Sequence, residues 1–334
     1  MADLTPDLAA IRAAQQAIAG LVQRTPLLPA AALSTQAGQE ILLKLESLQP
    51  TGAFKLRGAT NAIGRLGPER RSRGVGCCST GNHGRAVAYA AKRAGIRAVV
   101  CLSALVPNNK VEAIQALGAD VRRIGQSQDE AQREIDRLVR EEGLTDIPPF
   151  DHPDVIAGQG TIALELLEDR PDLTTIVVPL SGGGLISGIA VAAKALKPGI
   201  RIIGVSMENG AAMRASLAAG RPVEVTEVPT LADSLGGGIG LQNRYTFALC
   251  RALVDETILL SEAEIYRGMQ ALFREQRLVS EGAAATGVAA LLAGKLRLDG
   301  PTAFIVSGHN IDPDQFLAVA SGQPVRLGDH SVKG

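Results

Sequence analysis

The stretch TIVVPLSGGGLISGIAVAAKAL, which runs from Thr175 to Leu196, decides the fold. Its first five residues, Thr175–Pro179, are mostly β-branched and apolar, and they predict a strand buried on both faces. Three glycines follow at 182–184, and residues 185–196 are predicted to form a helix. A strand that passes through a glycine turn into a helix is the repeating unit of open α/β sheets. In such sheets, ligands bind outside the carboxyl ends of the strands.

The same alternation continues in both directions along the chain. Further strands are predicted at 41–45, 74–78, 98–102, 120–124, 201–205 and 303–306. Helices are predicted at 6–22, 58–66, 84–94, 109–117, 128–142, 161–168, 262–276 and 283–293. The pattern indicates an α/β fold with two open, largely parallel sheet domains covered by helices. We expect a large domain, residues 1–50 and 153–334, a small domain, residues 51–152, and a loose tail at 329–334.

Composition and charge exclude several classes of protein. The chain has 334 residues, 46% hydrophobic and 20% charged, as is ordinary for a soluble globular protein. Lys+Arg and Asp+Glu both number 34, so no net charge favours nucleic acid or an anionic membrane surface. The first 20 residues lack a continuous apolar run, so neither a signal peptide nor a membrane span is expected. None of the four cysteines lies in a CxxC pair, which predicts no zinc site or disulfide framework and fits a cytoplasmic compartment.

The glycine turn at 182–184 predicts an anion site. Consecutive glycines at a helix start let several backbone N–H groups point at one anion. The helix dipole contributes only about 0.3–1 kcal/mol per charge, so hydrogen bonds from these N–H groups must supply most of the affinity. Phosphate is the natural guest, although a tight turn that binds nothing is the alternative. The chain has no GxxxxGK[ST] motif, and this turn is not GxGxxG, so a nucleotide is disfavoured.

Three other clusters complete a possible site. STGNHG at 79–84 offers hydroxyls, an amide and free N–H groups at a predicted helix start, a set suited to a carboxylate. PTGAFKLRGA at 50–59 places Lys55 after a glycine turn, and VSGHN at 306–310 follows the last predicted strand. Singly, each cluster could be a helix cap, a surface lysine or a turn. Together they supply an amine nucleophile, a phosphate site, a carboxylate site and a lone hydroxyl.

The order of TGAFKLRGA, STGNHGRA, SGGGLISG, SEGAAATG and SGHNID resembles the serine/threonine dehydratase family over about residues 15–315. These are fold-type II pyridoxal-phosphate enzymes, related to serine racemase and the tryptophan synthase β-subunit. The resemblance implies pyridoxal 5'-phosphate as cofactor and a small amino acid as substrate. It also implies a homodimer or higher homo-oligomer, and the even charge balance predicts no nucleic-acid or membrane partner.

The resemblance implies a role for each motif residue. Lys55 would bind the cofactor covalently and act as base at the substrate Cα, and Phe54 would pack beside the cofactor ring. Asn82 would bind the 3-hydroxyl group, and Ser307 would face the pyridine nitrogen. The phosphate would be held by a run of five residues, Ser181, Gly182, Gly183, Gly184 and Leu185. The substrate carboxylate would be received by Ser79, Thr80, Gly81, Asn82 and His83.

Some positions depart from the family pattern. Ala53 stands where many dehydratases have serine, and His309 interrupts the usual Ser-Gly-Gly-Asn. Thr80 stands where the related racemase has its serine base, and its extra methyl group disfavours racemisation. The family's cation site normally has an acid a few residues after Glu208, but this chain has Arg214, which would repel a divalent ion. No metal site is therefore predicted.

We predict that the enzyme eliminates water from a β-hydroxy-α-amino acid and releases a 2-oxo acid and ammonia. Serine and threonine are the default substrates. The stretches FDHPDVIAGQGTIALE (150–165) and STGNHGRAVAYAA (79–91) look especially like hydroxyectoine-utilisation dehydratases, which act on a hydroxylated diaminobutyrate derivative. An amino-acid racemase is the enzymatic alternative. A non-catalytic protein that binds pyridoxal phosphate is an alternative from another class.

Overall fold

The computed structural model describes residues 5–79, 81–104, 106, 108–126 and 128–334. The helices are α1 (Leu8–Ile18), α2 (Ala31–Ala37), α3 (Lys55–Gly64), α4 (Pro68–Arg73), α5 (Asn82–Ala94), α6 (Asn108–Ala116), α7 (Gln128–Glu142), α8 (Pro153–Asp169), α9 (Gly184–Leu196), α10 (Ala212–Ala219), α11 (Thr246–Leu253), α12 (Glu262–Gln276), α13 (Thr286–Leu292) and α14 (Pro313–Ala320). The strands are β1 (Leu27–Pro29), β2 (Ile41–Lys44), β3 (Val75–Cys78), β4 (Ala98–Leu102), β5 (Asp120–Arg123), β6 (Thr145–Asp146), β7 (Thr175–Pro179), β8 (Arg201–Met207), β9 (Glu256–Leu260), β10 (Thr302–Ile305), β11 (Val325–Leu327) and β12 (His330–Val332). None of the described helices is long and apolar enough to cross a membrane.

Two parallel sheets form the framework. The larger sheet has the order β1-β2-β10-β7-β8-β9, and only β1 runs antiparallel to its neighbour. The smaller sheet has the order β5-β4-β3-β6 and is parallel throughout. Every residue of β2, β7 and β10 is buried, as expected for strands covered by helices on both faces. The predicted fold class is confirmed. The domain limits stay a prediction, and all strands of the smaller sheet fall within residues 51–152.

Glycines let three helices approach each other closely. A Cβ atom on Gly158 of α8 would lie 2.6 Å from the Cα of Gly58 on α3. A Cβ atom on Gly188 of α9 would lie 2.6 Å from the backbone nitrogen of Gly160 on α8. No side chain larger than hydrogen fits at these crossings. Helix α8 therefore joins the helix that begins at Lys55 to the helix that begins at Gly184.

A buried ion cluster, defined here as Lys44, Glu46, Arg57 and Glu165, also holds α3 in place. Arg57 donates two hydrogen bonds to each carboxylate, at 2.8 Å to both oxygens of Glu46 and at 2.6 and 2.9 Å to those of Glu165. Lys44 Nζ lies 2.5 Å from Glu165 Oε2. The Arg57 side chain is fully buried. Two cations and two anions are thus neutralised inside the protein, where an unpaired charge would be strongly unfavourable.

Several predicted boundaries differ from the structure; helix α1, for example, spans Leu8–Ile18 and not residues 6–22. Helix α3 begins at Lys55 and not at residue 58, and α8 begins at Pro153 and not at residue 161. The glycines of α8 conceal its helical pattern, and its start is set by the His152 side chain, which accepts from the Asp154 N–H at 3.2 Å. The prediction of a loose tail at 329–334 is wrong, because β12 pairs with β11. Gly328, at φ +58°, makes the turn between them.

Candidate active site

The carboxyl ends of β3, β7 and β10 reach one cavity of about 1530 Å³. The described site residues that the sequence predicts all line it: Phe54, Lys55, Ser79, Gly81, Asn82, His83, Ser181, Gly182, Gly183, Gly184, Leu185 and Ser307. Thr80, which was also predicted, lies outside the described residues. The four sequence clusters are therefore brought together in one place, as the rule for parallel sheets leads one to expect.

Lys55 lies at the first position of α3 and reaches into the cavity. Its Nζ donates to the carbonyl of Pro149 at 2.6 Å and lies 5.3 Å from the centroid of the Phe54 ring. Burial lowers the pKa of Lys55 to about 8, although the negative charge of Glu281 acts in the opposite direction. A larger fraction of neutral amine is therefore present near neutral pH than for an exposed lysine. A neutral amine is the form that attacks carbonyl carbons.

The glycine loop, Ser181–Leu185, packs tightly against neighbouring side chains. A Cβ atom on Gly182 would lie 2.4 Å from Cδ1 of Phe150, and one on Gly183 would lie 2.8 Å from Cε of Met213. Gly183 has φ +90°, a conformation that other residues rarely adopt. The N–H groups in the first turn of α9 have no partners within the helix. The loop lines the cavity, and the binding of an anion by these N–H groups stays a prediction.

The conformation of this loop can be tested with Gly183→Ala. At φ +90° the methyl group adds strain of roughly 1–2 kcal/mol and forces the backbone to shift. We expect the Kd for pyridoxal phosphate to rise by roughly tenfold, equivalent to about 1.4 kcal/mol. Gly199→Ala is the control, because no heavy atom lies within 4 Å of its added Cβ. Equal Kd values for the two variants, measured by fluorescence titration, would show that the phosphate binds elsewhere.

Glu281 is a site residue that the sequence analysis missed. Asn82 Nδ2 donates to its two carboxylate oxygens at 2.9 and 3.1 Å, and Ser234 Oγ donates at 3.0 Å. Glu281 is only 3% exposed. Burial raises the pKa of Glu281 to about 7, against the lowering effect of the hydrogen bond from Asn82. The motif SEGAAATG contains this residue, and a lone acid in an apolar run was the signal available.

The segment that connects β6 to α8 closes the site, and its role was also missed. Besides the Pro149 carbonyl that binds Lys55, the Phe150 ring covers the glycine loop. The carboxylate of Asp151 accepts from three backbone N–H groups at the start of α11, at 2.6–2.9 Å. His83 Nε2 lies 2.6 Å from the carbonyl of Ile147. Burial lowers the pKa of His83 to about 3, so this imidazole is neutral.

The region around Glu208, where the family's cation site would lie, contains the ammonium group of Lys295. Lys295 Nζ lies 3.8 Å from Glu208 Oε1 and 2.8 Å from Glu264 Oε2, and it donates to the carbonyl of Leu259 at 3.0 Å. Among the residues that the structure describes, no group of three or more His, Cys, Asp or Glu side chains could hold a metal ion. The prediction that no divalent cation binds here stays a prediction.

Comparison with known proteins decides the family. The family model described as "Pyridoxal-phosphate dependent enzyme" matches residues 18–308. The chain belongs to this family. A Sinorhizobium fredii protein, provisionally named as a threonine dehydratase, is 54% identical over 94% of this chain and 95% of its own length. The L-threonine ammonia-lyase of Thermotoga maritima is 44% identical over 95% and 79%. Maize serine racemase has a similar structure, with a TM-score of 0.89, 36% identity and coverage of 94% and 96%.

The cavity fits the cofactor of this family of pyridoxal-phosphate-dependent enzymes. Such an enzyme needs a lysine amine, a phosphate site and a group for the pyridine nitrogen. The cavity contains Lys55 with its lowered pKa, the N-terminus of α9 with its glycines, and the hydroxyl-bearing Ser307. Gly182, Gly183 and Gly184 have no side chains that could fill the space beside the loop. The donor set suits a phosphorylated aldehyde and offers no competing cluster of metal ligands among the described residues.

Proposed function

We propose that this enzyme is a dehydratase that removes water from a β-hydroxy-α-amino acid and releases a 2-oxo acid and ammonia. One observation carries the proposal: Lys55, with its lowered pKa, shares a cavity with the glycine loop and the neutral Ser307. The relation to the L-threonine ammonia-lyase of Thermotoga maritima supports the same class of reaction.

Lys55 is the residue we assign to covalent attachment and to proton transfer. Bound pyridoxal phosphate withdraws electrons from the Cα atom of an amino acid. With the cofactor bound, Lys55 Nζ would take the proton from Cα. A pKa of about 8 suits this task, because a general base works best when its pKa lies near the working pH. Ser181–Leu185 would hold the phosphate, and Phe54 would lie beside the ring.

Glu281 and Ser307 influence whether elimination or inversion follows. Glu281, with a pKa of about 7, can hold or release a proton at its carboxyl group near neutral pH. Ser307 is neutral, so it cannot balance a full positive charge on a pyridine nitrogen beside it. Weaker electron withdrawal from Cα favours prompt loss of the β-hydroxyl group over inversion. Asn82 would bind the 3-hydroxyl group, and the loop at 79–83 would bind the substrate carboxylate through its N–H groups.

A racemase is the second candidate, because maize serine racemase shares this fold at a TM-score of 0.89. For the natural substrate we propose a hydroxylated diaminobutyrate derivative of the kind formed from hydroxyectoine. This finer assignment rests on the stretches at 79–91 and 150–165. In the structure, both stretches contribute residues to the cavity, His83 and Arg85 from the first and Phe150 and Asp151 from the second.

Turnover assays test the reaction and the substrate together. We expect ammonia and 2-oxo acid to form faster than any inverted amino acid. We also expect kcat/KM to be at least roughly tenfold higher for the hydroxylated diaminobutyrate compound than for L-threonine, a difference of about 1.4 kcal/mol that one polar contact can supply. A clear preference for L-threonine would contradict the substrate assignment alone. Inverted amino acid as the main product would contradict the elimination itself.

A further inference from the structure

We propose that Arg85 and Asn310 are positioning residues, which fix the orientation of the Asn82 side chain and direct its amide nitrogen toward Glu281. The four residues form one hydrogen-bonded chain, called here the amide relay: Arg85, Asn310, Asn82 and Glu281. The proposal rests on the proposed function only through the role of Asn82 beside the cofactor ring.

The contacts of the amide relay are short and run in one direction. Arg85 Nη1 donates to Asn310 Oδ1 at 2.8 Å. Asn310 Nδ2 donates to Asn82 Oδ1 at 2.6 Å. Asn82 Nδ2 then donates to Glu281, at 2.9 and 3.1 Å to its two oxygens. The relay therefore joins three separate parts of the chain: the first turn of α5, the loop after β10 and the residue before the 3₁₀ turn Gly282–Ala285.

The direction of the relay is imposed by groups that cannot reverse. A guanidinium group only donates, so the Asn310 atom that faces Arg85 must be the oxygen. A backbone carbonyl only accepts, and Asn310 Nδ2 lies 2.8 Å from the carbonyl of Thr51. Both neighbours therefore require the same orientation of the Asn310 amide. Because Asn310 then presents its nitrogen to Asn82, the oxygen of Asn82 must face it. The nitrogen of Asn82 is left for Glu281.

The ends of the relay carry opposite charges. The half-buried guanidinium of Arg85 lies on the same face of α5 as Asn82, one helical turn further along. Burial lowers the pKa of Arg85, and the charge of Glu281 acts in the opposite direction. Two other charged groups interact with Glu281. The negative charge of Glu281 favours the protonated form of Lys55, and the negative charge of Asp233 disfavours ionisation of Glu281. A fixed donor from Asn82 therefore stabilises the ionised Glu281 beside Lys55.

Asn310→Asp replaces the amide nitrogen that donates to Asn82 and to the Thr51 carbonyl with an acceptor oxygen of nearly the same size. The carboxylate keeps a partner in Arg85 but cannot donate to Asn82 or to the Thr51 carbonyl. Asn82 must then turn its nitrogen toward residue 310 and its oxygen toward Glu281, where two acceptors would oppose each other. We expect a shift of the visible absorption band of the holoenzyme and an increase of roughly tenfold in the Kd for pyridoxal phosphate, because a misoriented Asn82 would lose its hydrogen bond to the cofactor. Arg85→Met should move both quantities in the same direction, by less.

Arg93→Met is the matched control, since Arg93 is exposed on the same helix α5. We expect it to leave the absorption band and the Kd unchanged, and thermal unfolding should show that all three variants fold. An unaltered band and Kd in Asn310→Asp would overturn the proposal. If Asn310→Asp does not fold, an unchanged absorption band and an unchanged Kd in Arg85→Met would overturn the proposal. Both readouts need no turnover, so they stay decisive even if no β-hydroxy amino acid proves to be a substrate.

Discussion

Lys55→Ala is expected to abolish turnover, with a loss of roughly 10⁴-fold or more, because one change removes both the covalent attachment and the base at Cα. The variant should also lose the yellow colour of the lysine-bound cofactor and should form no adduct when reduced with borohydride. The fold should survive, since among the described residues Lys55 Nζ makes one hydrogen bond, to the Pro149 carbonyl.

Lys92→Ala provides the control for this experiment, because Lys92 is exposed on α5. It should keep wild-type activity, colour and adduct. Peptide mapping after borohydride reduction identifies the labelled lysine directly. A labelled peptide that contains Lys44 or Lys110 in place of Lys55 would show that the assignment is wrong.

Arg57→Met is expected to have the largest effect on stability, a loss of about 3–5 kcal/mol in the free energy of unfolding. The substitution leaves two buried carboxylates, Glu46 and Glu165, with Lys44 as their remaining cation in the buried ion cluster. Methionine fills the space but donates no hydrogen bonds. The affinity for pyridoxal phosphate should fall as well, because Arg57 lies two residues after Lys55 on the same helix.

Arg24→Met is a closely matched control. Arg24 also pairs with two carboxylates, Glu168 at 2.7 Å and Asp169 at 2.5 Å, but 47% of its side chain is exposed. Exposed pairs of this kind are worth about 0–1 kcal/mol. Urea unfolding of the cofactor-free variants gives both values. Similar losses for Arg57→Met and Arg24→Met would contradict the idea that burial makes the cluster important.

Much of this protein can be predicted from short stretches of sequence. The strand at Thr175–Pro179 agrees residue for residue with the structure, because a continuous β-branched run is a local signal. The glycine loop and Lys55 lie at helix starts, where the residues that form the feature are neighbours in the chain. The strand order of the sheets was not predicted, because it depends on crossover connections that leave no local pattern.

By itself, the sequence determined which groups this protein brings to its chemistry: an amine, a glycine loop, an amide and a neutral hydroxyl. Only the tertiary structure decided which groups act on them. Asn82 and Glu281 are 199 residues apart in sequence, and Arg57 and Glu165 are 108 apart. Their charges and pKa values depend on burial and on partners supplied by other elements. The lowered pKa of Lys55 and the raised pKa of Glu281 therefore arise only when the two sheets and their helices enclose both residues in one cavity.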